Sequence, residues 1–266
     1  MESGLDSFVV WKGVAVFGWL ALLFAGERIL PAAREPHGSA AVPGGWRRLV
    51  RNLGLWAVNL ALSPLIVLPL SLWASGHGLA WRPGWWSGGL GLALDLLALD
   101  FLIYWWHRAN HVVPLLWRFH EVHHLDRFLD TTTALRFHFG EVLLSALARA
   151  AIILILGLPF ASVLVFEALV LIAALFHHSN LRLPPRLEAA LARVIITPSI
   201  HWVHHHAVRR DTDSNYGTIL SIWDPLFGSR SATRRSADMV IGVEQRAEAG
   251  LPALLARPFW RPEASG

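Results

Sequence analysis

An all-α, integral membrane bundle of about four to five spans, carrying a polar helical cap, is the fold that this sequence predicts. Three observations predict it. The chain is 54% hydrophobic and only 16% charged, whereas soluble domains carry about a quarter of charged residues. Long apolar runs recur between residues 8 and 176. Beyond them the chain turns polar and arginine-rich.

The first apolar run, residues 8–25, follows an acidic start and is long enough to cross a bilayer, so it reads as a membrane helix rather than a cleaved signal. A second span covers residues 53–74 and crosses Pro64 and Pro69, which predicts a kink tolerated where neighbours satisfy the freed carbonyls. A third covers residues 89–106 and ends in the aromatic belt Tyr104, Trp105 and Trp106, placing His107 just outside the hydrocarbon. Residues 141–176 hold two helix lengths of apolar sequence interrupted by Gly157, Leu158 and Pro159, a helical hairpin. Arg149 and Glu167 lie about equally far from its turn, and intramembrane charges are costly unless paired, so they predict an ion pair across it.

The segment between the first two spans carries Arg28, Arg34, Arg47, Arg48 and Arg51, while the loop at residues 75–87 carries only Arg82. The excess of positive charge puts the first on the cytoplasmic side and the second outside. The third span then returns the chain to the cytoplasm, so the polar region after Phe176 is a cytoplasmic cap, on the inner membrane if the cell is bacterial. No repeat or linker divides the chain, which reads as one domain over residues 1–266.

The composition also excludes chemistry. There is no cysteine, which removes disulfides, thiolate zinc sites, iron–sulfur clusters and cysteine nucleophiles together. Any metal must be held by nitrogen and oxygen. Lys12 is the sole lysine, and the arginines are scattered between helices rather than massed with aromatics, a pattern of membrane topology and not of nucleic-acid binding.

Twelve of the fourteen histidines fall between positions 107 and 206, and all of these but His138 form spaced groups: His107 and His111; His120, His123 and His124; His177 and His178; His201, His204, His205 and His206. Helical spacings of three and four set side chains about 5–6 Å apart on one face, suited to two nitrogens on one metal. Adjacent histidines diverge by about 100°, so His123/His124 and His204/His205 can each serve two different metals. Eight or nine imidazoles are too many for one ion, which takes about four to six ligands. The pattern predicts a two-metal site in the cap.

These groups, read as HRANH, HEVHH, HHSN and HWVHHH, resemble the fatty acid hydroxylase superfamily, also called the sterol desaturase family. The resemblance covers about residues 100–228 and includes RFHFGE (136–141), TPSIHWVHH (197–205), NYG (215–217) and WDPLFG (223–228). It implies a non-haem di-iron centre that uses O2 and reducing equivalents to hydroxylate or desaturate an unactivated lipid C–H bond. The implied ligands are His107, His111, His120, His123, His124, His178, His201, His204 and His205. His178 is preferred to His177 because Ser179-Asn180 follows it as in the family's third box; His177 and His206 are extra members of their runs. Pro225 stands where arginine is commoner in the family.

Asp100, His138 and Asn180 are the candidates for acting beside the metals. Asp100 lies two helical turns before His107 on nearly the same stripe, placed to fix the tautomer of a ligand histidine or to line the substrate cavity. Asp95 is off that stripe and structural. His138 and Glu141 flank the fourth span beside the site, and Asn180 and Asn215 are further hydrogen-bond partners.

Two other readings compete. His120-Glu121-x-x-His124 also matches the zinc metalloprotease pattern H-E-x-x-H, which leaves His107, His111, His201, His204 and His205 without a role. A non-catalytic metal-binding or transport protein would place its ligands near the bilayer midplane between repeats, unlike this pattern. The chain carries no recognisable haem, flavin or ferredoxin domain, so the oxidoreductase reading requires a separate electron-donor protein docking on the basic cap, with a lipid from the bilayer as substrate. Zinc is a possible substitute for iron, because imidazole sites discriminate weakly.

Overall fold

The computed structural model describes residues 2–33 and 45–260, with side chains from Trp11 onward; Arg34 lies outside the described residues. Among these the chain is helical, with no strand beyond isolated bridges such as Pro31 with Leu181. Four segments are long and apolar enough to span a membrane: Gly45–Gly76, Gly88–Val112, Phe139–Leu156 and Phe160–His178. Residues 8–10 of the expected first span lie outside the residues whose side chains are described, and among the described ones α1 (Glu2–Ile29) is not one of the four.

The Gly45–Gly76 segment is α2 (Gly45–Leu62), a π-helical turn (Ser63–Val67) and α3 (Leu68–Gly76). Pro64 and Pro69 have no N–H to return to the preceding turn. The helix absorbs this by widening locally into the π-helical turn at Ser63–Val67, which contains the first of the two prolines. The third span, α4 (Gly88–Val112), runs on to Val112 instead of ending at Trp106, so His107 and His111 are carried on a rigid helix. Pro114 then opens α5 (Pro114–His124), where its missing N–H costs nothing.

The hairpin is α6 (Phe139–Leu156) followed by α7 (Phe160–His178). Gly157 ends α6 in the left-handed region at φ 59°, ψ 41°, and its N–H bonds back to Ile153, the conformation glycine adopts without penalty. Across the hairpin Arg149 Nη2 stands 3.2 Å from Glu167 Oε1, the ion pair predicted from their equal distance to the turn. Lys12 reaches the other Glu167 oxygen at 3.7 Å.

Large apolar side chains such as Leu60, Leu65, Leu90, Leu147 and Ile155 point outward, where lipid would meet them. In lipid, burial of apolar area does not by itself drive helices together, so close packing of small residues and interhelical polar contacts must. Ala74, Ala150 and Ile153 interlock with Leu99, Val163 and Phe166 where α3, α4, α6 and α7 meet. Asp95 is buried there as a structural group, accepting from Trp86 Nε1 at 2.9 Å and Ser162 Oγ at 2.7 Å and pairing with Arg82 at 2.8 Å.

The cap is built from short helices, α8 (Pro185–Leu191), α9 (Pro198–His204), α10 (Arg209–Thr212), α11 (Trp223–Leu226) and α12 (Leu251–Ala256). It is fastened to the bundle by a buried ionic network. Arg48 on α2 forks onto Asp126 at 2.6 and 2.9 Å and onto Asp130 at 2.8 and 3.0 Å. Asn52 donates to Asp126 and Thr132, and Arg136 and Arg51 share Glu248 at 2.9 and 2.7 Å. The network ties α2 to the segment that follows α5.

Removing the cation leaves two buried carboxylates facing each other, a change that costs about 3–5 kcal/mol for a buried pair. Arg48→Met is therefore expected to lower the thermal unfolding midpoint of the detergent-solubilised protein sharply, whereas the exposed Arg47→Met is expected to leave it within about a degree or two. Equal midpoints for the two variants would show that the network does not hold the cap.

Candidate metal centre

Four segments deliver histidines to one place. α4 presents His107 and His111, α5 presents His120, His123 and His124, the last turn of α7 presents His178, and α9 with its C-cap presents His201, His204 and His205. They form two groups, each with ligand nitrogens all within 4.8 Å of one another: His107, His111, His120, His124 and His204 in the first, His123, His178, His201 and His205 in the second. The i, i+4 pairs His120/His124 and His201/His205 stay within one group. Their neighbours His123 and His204 swing to the other, as the 100° step per residue requires. α5 and α9 thus each contribute to both groups.

Hydrogen bonds fix the rings. His107 Nδ1 lies 2.8 Å from the Tyr216 carbonyl, His123 Nδ1 3.2 Å from that of Arg136, His178 Nδ1 2.8 Å from that of Ala174 and His204 Nδ1 2.6 Å from that of Ser214. His120 Nδ1 lies 2.8 Å from the Glu141 carboxylate. A carbonyl or carboxylate oxygen only accepts, so in each of these rings Nδ1 carries the proton and Nε2 keeps its lone pair. Such partners commonly orient metal-bound imidazoles.

The consequence is a conflict that a cation resolves. His123 Nε2 and His178 Nε2 face each other at 3.0 Å. With both Nδ1 atoms protonated, neither neutral ring has a hydrogen to place between them. His201 Nε2 is a further 2.9 Å from His178 Nε2, and His205 Nε2 3.1 Å from His201 Nε2. In the first group His120 Nε2 and His124 Nε2 stand 3.1 Å apart, and His204 Nε2 and both His111 nitrogens are buried without hydrogen-bond partners. Two imidazole nitrogens about 2.1 Å from one metal and at right angles to each other are about 3.0 Å apart. The donor set fits a metal in each group.

The candidates placed beside the metals are found elsewhere. Asp100 makes no bond to a histidine and does not line the cavity described below; it accepts from the backbone N–H of Ile219 and Leu220 at 3.2 Å each and from Trp223 Nε1 at 2.8 Å. It pins the loop that carries Tyr216, and acts on His107 only through that loop. His138 caps α6, its Nδ1 accepting from Gly140 N–H at 2.9 Å while Nε2 meets the Leu255 carbonyl at 3.0 Å. Asn180 is bound on both sides to the backbone of Ala33, at 2.9 and 2.7 Å, and fastens the end of α1. In each case a long-range partner claims the polar side chain before the metal site does. His177 and His206 fall in neither group: His177 is buried against the His201 ring, and His206 Nδ1 lies 2.8 Å from Asp211.

Two carboxylates do reach histidines of these groups: Glu141, brought to His120 by close approach of α5 and α6, and Asp213, whose Oδ1 lies 3.4 Å from His111 Nδ1. A β-carbon on Gly140 would overlap the Phe119 ring. The other anchors are backbone carbonyls. Those of Ser214 and Tyr216 are presented by a loop in which Asn215 adopts φ 54° and Asp224 accepts from Tyr216 and Gly217 N–H at 2.7 and 3.0 Å. The NYG and WDPLFG motifs are the sequence trace of this loop. Glu121 faces away from both groups: Arg257 holds its two oxygens at 2.9 and 3.1 Å.

Beside the histidines a cavity of about 360 Å³ runs between α2, α4, α6 and α7. His107, His120, His123 and His178 line one end, Trp56, Ile103, Phe166, Val170 and Leu171 its walls, and Arg149 and Glu167 the other end.

Comparison with known proteins supplies a family. A model of the fatty acid hydroxylase family matches residues 92–229. The ornithine lipid hydroxylase OlsE of Rhizobium tropici is 27% identical over 260 residues, 96% of this chain and 78% of that protein. The alkylglycerol monooxygenase of Homo sapiens is 32% identical over 150 residues, covering 56% of this chain and 31% of its own length. A very-long-chain aldehyde decarbonylase, GL1-5 of Oryza sativa subsp. indica, is 27% identical over 184 residues, 65% of this chain and 29% of its own length. The chain thus spans less than a third of the last two relatives. No solved structure matches it.

Burial, and then the neighbouring imidazoles, hold His123, His124, His201, His204 and His205 well below the ordinary value of 6.5. These rings stay neutral when folded but bind protons when unfolded, so the stability they confer is complete above pH 6.5 and is lost as pH falls below it. Metal-stripped protein is expected to show a flat unfolding midpoint above about pH 7 and a progressive fall below pH 6.5. A midpoint independent of pH between 7 and 5 would contradict this.

Proposed function

The chain belongs to the fatty acid hydroxylase family of oxidoreductases, and on that premise we propose that it is a membrane-bound, O2-dependent di-iron enzyme that hydroxylates or desaturates a C–H bond of a lipid. One observation carries the reading. Eight buried imidazoles and the half-buried His107 form two adjacent groups whose bare nitrogens face each other, at the end of a cavity with apolar walls.

The ligands in this reading are His107, His111, His120, His124 and His204 for one iron and His123, His178, His201 and His205 for the other. Bound there, the irons would supply the oxygen chemistry that no side chain can. The protein does the rest. The carbonyls of Arg136, Ala174, Ser214 and Tyr216 and the Glu141 carboxylate keep Nε2 of His123, His178, His204, His107 and His120 bare and aimed. Trp56, Ile103 and Val170 form an apolar passage that admits a chain and disfavours water. Hydroxylation places one oxygen atom in the lipid and the other in water, consuming two electrons and two protons. The electrons come from a separate donor protein, for which the arginine-rich cap is the docking face. That cap lies on the cytoplasmic side, a reading supported by Arg28, Arg47, Arg48 and Arg51 at the histidine end against Arg82 alone in the opposite loop. The names of the relatives, an ornithine lipid hydroxylase and an alkylglycerol monooxygenase, support a polar lipid as the substrate class.

The protease alternative needs Glu121 beside the metal, and the carboxylate is held instead by Arg257, at 2.9 and 3.1 Å. Glu121→Gln is expected to keep its metal and most of its turnover, where a protease would lose all activity. The functional test compares lipids of cells carrying the wild-type protein or its His124→Ala variant under 18O2. A hydroxylase adds one labelled oxygen to a lipid and a desaturase removes two hydrogens, in the wild type alone. Identical lipid profiles in the two strains would overturn the proposal.

A further inference from the structure

The cavity has two polar ends, and the reaction uses one of them. Glu167, Val170, Leu171, Ala174 and His178 all line it from α7, and their spacing of three, four, seven and eleven residues keeps them on one helical stripe. Eleven residues place Glu167 about 16 Å along the axis from His178, and eight place Arg149 about 12 Å along α6 from Glu141. The charged pair therefore sits deep in the span, facing the passage from the end opposite the histidines.

The pair does not saturate itself. Arg149 Nη2 meets Glu167 Oε1 at 3.2 Å. Arg149 Nε and Glu167 Oε1 are nevertheless buried without a hydrogen bond, and so is Oδ1 of Asn59, which lines the same cavity. A buried donor and buried acceptors left open in a lipid-facing passage are costly unless something fills them. The charges of the two cavity-lining groups cancel, and Lys12, which touches Glu167 at 3.7 Å, is not part of the lining. Carrying a further charge to this depth is expensive. The matching ligand group is neutral and both donates and accepts.

We propose that Arg149 and Glu167 form a second recognition point of the substrate cavity, binding an uncharged hydroxyl-type group carried partway along the lipid chain and so fixing which carbon stands at the histidine end. The inference deepens the functional reading above and rests on it for the chemistry, but not for the binding. Arg149 and Glu167 are specificity-determining residues here, remote from the reacting atoms.

The test has a binding arm and a product arm. In the binding arm, methyl 12-hydroxystearate and methyl stearate are titrated into the metal-loaded protein in detergent and the unfolding midpoint is followed. The wild type is expected to bind the hydroxy ester about tenfold more tightly, the worth of one hydrogen bond to a charged group. The preference is expected to vanish in the Arg149→Leu/Glu167→Leu double variant, whose fold should survive because apolar replacement of a whole buried pair is commonly tolerated; Arg149→Gln serves as the milder second variant. Equal affinity of the wild type for the two esters, or an unchanged preference in a folded variant, overturns the proposal. In the product arm, the double variant is expected to lose about tenfold of its 18O-labelled lipid or to move the label along the chain, with metal content retained. The same products at the same levels overturn it. If the wild type makes no labelled lipid at all, the oxygenase reading falls while the ester comparison still decides the binding claim.

Discussion

Two bare imidazole nitrogens, those of His123 and His178, face each other at 3.0 Å in the interior of this protein. With no hydrogen to place between them, the two nitrogens fit a bound cation. The carbonyls of Arg136 and Ala174 set the contact up by taking the Nδ1 protons. The burial of both rings prevents water from relieving it. His107, His120 and His204 have Nδ1 engaged in the same way, His111, His124, His201 and His205 complete the two groups, and the fold is organised to bring them in: two helices that end at the site, α4 and α7, and two short ones, α5 and α9, whose adjacent histidines diverge into separate groups. The Arg48 network holds the segment that carries Arg136, so a salt bridge far from the bilayer core also serves the histidine geometry.

The parts of this arrangement set by local rules were legible in the sequence. The spacing of His120, His123 and His124 states how the rings divide, because the turn angle of a helix is fixed. Gly157 and Pro159 mark the hairpin, and Arg149 with Glu167 are placed by counting from it. What could not be read were partners distant in sequence. Asp100 lies on the stripe of His107 yet is claimed by Ile219, Leu220 and Trp223. His138 and Asn180 are taken by Leu255 and Ala33. Four of the five groups that orient the rings are backbone carbonyls, which every residue has and no composition reveals. Helix ends were also misplaced: α4 reaches Val112 because apolar content marks the bilayer, whereas hydrogen bonding, which sets the helix, continues through the aromatic belt.

The bundle separates two regions. The histidine end is assembled from imidazoles held by backbone carbonyls and by Glu141. The walls of the passage leading from it, Trp56, Ile103, Phe166, Val170 and Leu171, anchor none of these rings. Relatives of this chain include an ornithine lipid hydroxylase and an aldehyde decarbonylase. In this chain the passage ends on an intramembrane ion pair, a costly feature whose retention is accounted for by recognition.

The central claim is that the nine imidazoles divide into two metal sites. Element-specific metal quantification on the purified full-length protein, alongside His111→Ala and His178→Ala, tests it most directly. Two metal ions per chain in the wild type, and a loss of about one in each variant, is the result this structure predicts from ligand sets that do not overlap. A single ion per chain in the wild type, or an undiminished count in both variants, would contradict it.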